Sequence, residues 1–241
     1  MDLKLKGHSV IITGGTKGIG RAIAETLSDE GCNIGLCARN ADDVAAAVDA
    51  LSAKGVKVVG QALDVADGDA FKAWIAEAGA ELGGIDAFVS NVAGSNAPGD
   101  EGWISQFNYN ILSAVHGVEA CKPFFKESSN PSVVMISTTA ALEHFMNAGP
   151  YNAMKAGLLN YSGALAQELG VKGVRVNAIS PGPIFIEGGS WDKIKQGMTA
   201  FYDSTLATIP LGRMGSAEEV AAQAALLISP LGGFTTGTNV V

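Results

Sequence analysis

The chain has 241 residues, of which 47% are hydrophobic and 17% are charged, and its formal net charge is −8. This composition excludes a disordered chain, and the length is sufficient for a sizeable buried core. The acidic balance argues against nucleic acid and anionic membranes as partners, because both attract basic surfaces.

Short apolar runs alternate with longer segments of helical spacing along the chain. The predicted strands cover residues 10–12, 33–38, 56–63, 85–90, 133–137 and 174–179. The predicted helices run from about residue 19 to a stop at Gly31, and then over 42–54, 67–82, 101–126 and about 150–170. Apolar strands joined by helix-length crossovers predict a central parallel β-sheet with helices on both faces. The sequence therefore predicts a single doubly wound, Rossmann-type α/β domain over residues 1–241.

Residues 181–214 interrupt this alternation. They are rich in Gly and Pro, yet they carry large apolar side chains such as Trp191, Met198 and Phe201. Because the segment follows the C-terminal end of a strand, where open α/β sheets bind ligands, residues 183–214 are predicted to form a substrate lid. An irregular packed excursion is the alternative. The uncharged stretch after Glu219 contains Pro230 and predicts a helix followed by a loop, which argues against a membrane span.

A glycine-rich turn, Thr-Gly-Gly-Thr-Lys-Gly-Ile-Gly at residues 13–20, joins the first predicted strand to the first predicted helix. Gly14 permits a tight turn, and Gly18 and Gly20 let the backbone approach a diphosphate. The spacing G-x3-G-x-G differs from the common G-x-G-x-x-G fingerprint. The helix that follows offers N–H groups and a positive dipole to an anion. The turn therefore predicts a dinucleotide site that includes Gly14, Thr16, Lys17, Gly18, Ile19 and Gly20.

The end of the second predicted strand bears on which dinucleotide binds. Sites that prefer NAD usually place a carboxylate there, whereas this chain has Arg39 and no acid before Asp42. Arg39 and Lys17 suit a 2′-phosphate, so NADP(H) is expected in preference to NAD(H). NAD(H) is the alternative, in which case Arg39 is a solvated surface cation.

Tyr151 and Lys155 lie four residues apart on the predicted helix 150–170, so their side chains share one face. A phenol is a weak acid at neutral pH, but a neighbouring cation lowers its pKa. Such pairs are also frequent on exposed helix faces. Joined to the glycine-rich turn, this pair predicts a site of proton transfer.

Further motifs at ordered spacings accompany these two sites. They are Asp64-Val65, Asn91-Val92-Ala93-Gly94, Asn110, Ile136-Ser137-Thr138, Pro181-Gly182 and Gly212-Arg213-Met214-Gly215. With these motifs the chain resembles the short-chain dehydrogenase/reductase family over nearly its whole length. Within that family it is similar in general appearance to the 3-oxoacyl-[acyl-carrier-protein] reductases.

The resemblance implies that Tyr151 transfers a proton while a nicotinamide exchanges a hydride with a carbonyl carbon. It implies that Lys155 holds the nicotinamide ribose and lowers the pKa of Tyr151, and that Asn110 supports a water relay behind the lysine. The hydroxyl that polarises the substrate oxygen is assigned to Thr138, which replaces the usual serine, with Ser137 as the fallback. The other implied cofactor residues are Asp64, Val65, Asn91, Ala93, Gly94, Pro181, Gly182 and Ile184. Ile186 stands where a threonine usually binds the carboxamide, so that contact is expected to be lost or to pass to the backbone.

Three functions are compatible with the sequence. The leading one is NADPH-dependent reduction of a ketone or 3-oxoacyl group to the alcohol, and the others are non-redox chemistry on the same fold and a nucleotide sensor. Asn110, Tyr151 and Lys155 argue against a sensor, which needs none of them. A small apolar carbonyl or alcohol substrate, free in solution, is favoured over a carrier-bound one. The candidate pocket residues are His144, Phe145, Met146, Trp191 and Phe201.

Assembly, compartment and metal content complete the expectations. The resemblance implies a homotetramer, or a homodimer. Residues 1–7 lack the apolar core of a signal peptide, which favours a cytoplasmic protein. Cys32, Cys37 and Cys121 include no CxxC and fit reduced, buried thiols. No Cys/His/carboxylate cluster has metal-ligand spacing, so no metal is expected.

Overall fold

A computed structural model describes residues 2–144 and 148–241, and it contains a sheet of parallel strands. The strands are β1 (Ser9–Thr13), β2 (Asn33–Ala38), β3 (Val58–Ala62), β4 (Ala87–Ser90), β5 (Ser132–Ile136), β6 (Arg175–Ile179) and β7 (Asn239–Val240). Their spatial order is β3-β2-β1-β4-β5-β6-β7, and each neighbouring pair is parallel. The chain order reverses at β1 and β4. Sheets of this kind bind ligands there, beyond the C-terminal ends of the strands.

Helices cover both faces of this sheet. They are α1 (Gly18–Asp29), α2 (Ala41–Ser52), α3 (Gly68–Leu82), α4 (Asp100–Phe107), α5 (Ser113–Phe125), α6 (Pro150–Gly170), α7 (Ser190–Gly197), α8 (Thr199–Thr208) and α9 (Ala217–Ile228). In β1, Val10 and Ile12 join the apolar cluster under α1, α2 and α9, whereas Ile11 joins the cluster under α3, α5 and α6. Alternate side chains of a strand point to opposite faces, so each face has its own core. The predicted doubly wound α/β fold is confirmed.

The helix predicted around residues 101–126 is present over residues 100–125, but it is not α-helical throughout. The chain forms α4, then a π-helical segment (Asn108–Leu112), and then α5. A π turn holds one residue more than an α turn, and such segments are frequent at functional sites. Asn110, a predicted catalytic residue, lies inside this segment.

Two other segments differ from their sequence patterns. The Gly- and Pro-rich residues 183–214 contain two short helices, α7 and α8, rather than only irregular chain. After α9 the chain forms β7 as well as a loop, and β7 pairs with β6 through Ala178 with Asn239 and Ile179 with Val240. Two residues are too few to show the alternation that marks a strand in sequence.

Within the described ranges, no helix combines the length and the apolar character needed to cross a membrane. The same residues contain no group of three or more His, Cys, Asp or Glu side chains that could hold a metal ion. Cys32, Cys37 and Cys121 are buried and unpaired. Burial raises the pKa of Cys32 and Cys37 to about 12, which keeps both as unreactive thiols.

Candidate active site

Two cavities lie next to each other at the C-terminal edge of the sheet and share Ala93. The first, named the Arg39 cavity, has a volume of about 470 Å³. The predicted cofactor residues in its wall are Gly14, Thr16, Lys17, Arg39, Asp64, Val65, Asn91 and Ala93. The second, named the Tyr151 cavity, has a volume of about 560 Å³. The predicted residues in its wall are Ile19, Ala93, Gly94, Ser137, Thr138, Tyr151, Pro181, Gly182, Ile184 and Trp191.

The glycine-rich turn forms a close contact between β1 and α1. Gly14 has a φ of +67°, in the left-handed region, and its N–H donates to the Cys37 carbonyl at 2.8 Å. A Cβ on Gly20 would collide with the Gly14 carbonyl oxygen and the Asn91 amide, so both close approaches require glycine. Asn91 holds the turn from β4, because its Nδ2 donates to the Thr13 carbonyl at 3.0 Å.

The first turn of α1 suits a diphosphate group. In the described structure, the residue that caps α1, Lys17, makes no side-chain hydrogen bond to the helix. The N–H groups of that turn are therefore available for anion oxygens, with the helix dipole in their favour. The turn and the adjacent Arg39 cavity fit a dinucleotide.

The two cations predicted to select a 2′-phosphate are not equivalent. Lys17 forms an ion pair with Asp43 at 2.6 Å, and both residues line the Arg39 cavity. The Arg39 guanidinium lies 5.8 Å from the ring centre of Tyr109, over the ring face. Because Asp43 partly neutralises Lys17, Arg39 is the cation better placed to meet an added phosphate.

Tyr109 and Asp43 are cavity residues that no sequence motif marked. The Tyr109 hydroxyl donates to Asp64 Oδ2 at 2.6 Å. Burial and the neighbouring Asp64 carboxylate raise the pKa of Tyr109, so its phenol stays protonated and remains a donor. Tyr109 thus connects Arg39 with Asp64, and only the fold brings these three residues together.

Tyr151 and Lys155 lie on consecutive turns of α6. The helix begins at Pro150, a favourable first helical position, which places Tyr151 in the first turn. Lys155 is buried, and its Nζ donates to the Ile136 carbonyl at the end of β5 at 2.6 Å. Burial lowers the pKa of Lys155 from 10.5 to about 7.

The electrostatics of Tyr151 differ from the sequence expectation. Lys155 was expected to lower the pKa of the Tyr151 phenol. In the structure, burial raises the pKa of Tyr151, and the interaction that opposes this shift is a hydrogen bond with the Thr138 side chain. The physical reason is that the buried Lys155 amine makes its hydrogen bond to Ile136 and has itself a lowered pKa.

Thr138 and Ser137 have different surroundings, although both line the Tyr151 cavity. The Thr138 hydroxyl hydrogen-bonds with Tyr151 and also accepts from the Ala140 N–H at 3.3 Å. The Ser137 hydroxyl is buried and donates to the Lys155 backbone carbonyl at 3.2 Å. Of these two hydroxyl groups, that of Thr138 is therefore the one paired with the Tyr151 phenol.

Asn110 is buried in the π-helical segment. Its Nδ2 donates to the backbone carbonyl of Gln106 at 2.9 Å and to the side-chain Oε1 of Gln106. Its Oδ1 has no hydrogen-bond partner among the described residues. A buried acceptor in this state is suited to a water molecule.

The predicted substrate residues separate into three groups. Trp191 lines the Tyr151 cavity, and Phe201 supports it from behind with ring centres 6.1 Å apart and an interplanar angle of 13°. His144 is exposed and is not part of the described lining. Phe145 and Met146 lie outside the described residues. The wall also holds Ile186 and Ile194 on its apolar side, and the polar residues Asn96, Glu143 and Asn152.

Comparison with known proteins gives matches over nearly the whole chain. A family model described as enoyl-(acyl carrier protein) reductase matches residues 14–241. The isoepoxydon dehydrogenase of Aspergillus clavatus is 35% identical, with 98% of this chain and 93% of that protein covered. The 3-oxoacyl-[acyl-carrier-protein] reductase of Chlamydia muridarum is 33% identical, with 98% of this chain and 96% of that protein covered.

A solved structure has the same architecture. The L-sorbose reductase from Gluconobacter frateurii, complexed with NADPH and L-sorbose, superposes with a TM-score of 0.89. It is 29% identical, and the match covers 100% of this chain and 96% of that chain. Each of these three relatives is named as a dehydrogenase or a reductase.

Proposed function

We propose a specific reaction for this chain, which is an enzyme and belongs to the short-chain dehydrogenase/reductase family. The reaction is reduction of a ketone or 3-oxoacyl group to the alcohol with NADPH, and the same site oxidises the alcohol in reverse. The observation that carries this proposal is the hydrogen-bonded pair of Tyr151 and Thr138 in the wall of the Tyr151 cavity, beside the Arg39 cavity.

The residues present fit a nicotinamide dinucleotide. The turn at Gly14 and the N-terminus of α1 would bind the diphosphate, and Asp64 and Val65 would meet the adenine. Lys155 would hold the nicotinamide ribose. When bound, the cofactor supplies the hydride that reduces the carbonyl carbon.

The protein's own residues manage the proton. Tyr151 donates its phenolic proton to the substrate oxygen, which becomes the hydroxyl of the alcohol, and the phenolate is left behind. Thr138 hydrogen-bonds the same oxygen and holds it next to the phenol. A water held by the free Oδ1 of Asn110 would carry the replacement proton toward Lys155, whose pKa of about 7 lets it take up and release a proton near neutral pH.

The mixed lining of the Tyr151 cavity supports a small, free substrate. Trp191, Ile186 and Ile194 offer an apolar wall, and Asn96 and Glu143 offer hydrogen-bonding groups. We therefore place an apolar portion of the carbonyl compound against Trp191.

The experiment that tests the cofactor preference compares NADPH with NADH in the wild type, Arg39→Asp and Lys17→Ala. Loss of a charge-assisted phosphate contact should lower kcat/KM for NADPH by about 10²-fold in Arg39→Asp, with little change for NADH. Lys17→Ala is the matched control. Its kcat/KM for NADPH should fall by less, because Asp43 already pairs with Lys17. Equal use of both cofactors by the wild type, unchanged in Arg39→Asp, would contradict the preference for NADP(H).

A further inference from the structure

We propose that Gln106 is a positioning residue, which orients the Asn110 carboxamide and links it to the loop in the wall of the Tyr151 cavity. This inference rests on the proposed function, because it assigns Gln106 a part in the same proton relay. Gln106 lies in α4 with 0% of its surface exposed. A fully buried glutamine is uncommon, so its hydrogen-bond partners determine what it does.

The partners of Gln106 fix which way its carboxamide faces. Its Nε2 donates to the Gly94 carbonyl at 2.9 Å and to Asn96 Oδ1 at 2.7 Å. A backbone carbonyl only accepts, so the NH₂ group must face the loop that contains Gly94. The Oε1 of Gln106 is then turned toward Asn110.

The orientation of Gln106 in turn fixes the orientation of Asn110. Asn110 Nδ2 donates hydrogen bonds to two acceptors of Gln106, the side-chain Oε1 and the backbone carbonyl. Asn110 must therefore present Nδ2 to Gln106 and keep Oδ1 as its free acceptor. Only an acceptor can receive a hydrogen bond from a water that also serves the Lys155 ammonium. A reversed Asn110 amide would present donors to that water instead.

The same loop forms part of the substrate site. Gly94 and Asn96 line the Tyr151 cavity. A second hydrogen bond, from the Ser95 N–H to Ser105 Oγ at 2.8 Å, also ties this loop to α4 but does not involve Asn110. Ser105 therefore provides a control that loosens the loop and leaves the Asn110 amide in place.

A double-mutant cycle on turnover tests the assignment, with Gln106→Met and Asn110→Ala measured singly and together. If Gln106 acts through Asn110, each single variant should lower kcat by about tenfold or more. The double variant should then be no slower than the slower single variant, because the two residues act as one unit. Ser105→Ala should keep kcat within about twofold of the wild type. The assignment would be overturned if the fold-losses in kcat of the two single variants multiply in the double variant. It would also be overturned if Ser105→Ala lowers kcat as much as Gln106→Met does.

A second variant covers the case in which Gln106→Met does not fold. In Gln106→Glu, the protonated carboxyl group has one O–H that can donate to the Gly94 carbonyl and one C=O that can accept from Asn110. Burial raises the pKa of such a carboxyl group. Above that pKa the carboxylate has no proton to donate to the Gly94 carbonyl. The pH profile of Gln106→Glu turnover should therefore contain a fall that is additional to any transition shared with the wild type. A pH profile parallel to the wild type would contradict the role of Gln106.

Failure of this inference is distinguishable from failure of the proposed function. If Tyr151→Phe turns over a carbonyl substrate at the wild-type rate, the proposed chemistry fails. If Tyr151→Phe is inactive and the fold-losses in kcat of Gln106→Met and Asn110→Ala multiply in the double variant, only the positioning role of Gln106 fails.

Discussion

At the scale of single residues, the proposed reaction depends on how Tyr151, Thr138 and Lys155 handle one proton. Burial raises the pKa of Tyr151, which on its own makes the phenol a weaker acid, and the hydrogen bond with Thr138 opposes this. Burial lowers the pKa of Lys155 to about 7, so its charge changes close to neutral pH. In the proposed reaction Thr138 therefore has two roles: it binds the substrate oxygen, and its hydrogen bond favours loss of the Tyr151 proton.

Separate alanine variants distinguish the two neighbouring hydroxyl groups. Thr138→Ala should lower kcat by about 10²-fold or more, because loss of one donor to a developing oxyanion costs roughly 3 kcal/mol. Ser137→Ala should lower kcat by less, because the Ser137 hydroxyl already donates its hydrogen bond to the Lys155 backbone carbonyl. Steady-state kinetics on both variants provide the measurement. A larger loss in Ser137→Ala would transfer the polarising role to Ser137.

At the scale of elements, the site depends on two segments that differ from regular expectation. The π-helical segment Asn108–Leu112 carries Asn110 between α4 and α5. Helix α7 places Trp191 in the wall of the Tyr151 cavity, and Phe201 of α8 stacks against Trp191. The conformation of neither segment could be predicted from the sequence. Apolar spacing does not reveal one extra residue in a helical turn, and it does not reveal two short helices rich in polar side chains.

Truncation of Trp191 tests whether α7 acts as a substrate wall. Trp191→Ala should raise KM for an apolar ketone by about tenfold with kcat nearly unchanged, because apolar contact area contributes to binding in ground and transition states alike. Phe201→Ala is the matched control, and it should raise KM less because Phe201 does not line the described cavity. Kinetics on ketones of increasing apolar size provide the measurement. A fall in kcat with unchanged KM would contradict the binding role.

At the scale of the whole molecule, the sheet brings distant chain segments to one edge. The order of β1 to β6 and of the helices between them could be predicted from apolar runs, and the tight turn at Gly14 from the glycine spacing. The short elements β7, α7 and α8 were not predicted. Contacts such as Tyr109 with Asp64, and Gln106 with Gly94, join residues whose proximity depends on the tertiary fold. A single sequence contains no local pattern for such contacts, which is why Asp43, Tyr109 and Gln106 were not predicted. Assembly as a homotetramer or homodimer remains a prediction.

The buried Lys155 makes the stability of the whole molecule depend on pH. Its pKa falls from 10.5 to about 7 on folding, so the unfolded chain binds more protons than the folded one between these values. The free energy of unfolding therefore increases as the pH rises from about 7 to 10.5. Below about pH 7 the folded protein must bury a charged Lys155, and the destabilisation is greatest there.

Thermal unfolding of Lys155→Met measures this destabilisation. The variant should unfold at a higher temperature than the wild type near about pH 6.5, and the difference should shrink toward about pH 9.5 as Lys155 becomes neutral in the folded state. Lys126→Met, at an exposed lysine, is the control and should show no such trend. A difference between Lys155→Met and the wild type that stays constant with pH would contradict the lowered pKa.

The most direct measurement of the proposed chemistry is the rate of NADPH oxidation by a carbonyl substrate in a single turnover of Tyr151→Phe. Phenylalanine keeps the ring but has no proton to give, so the rate should fall by about 10²-fold or more while NADPH binding stays near that of the wild type. Tyr161→Phe, on the same helix, is the matched control and should keep the wild-type rate. Turnover by Tyr151→Phe at the wild-type rate would contradict the assignment of Tyr151 as the proton donor.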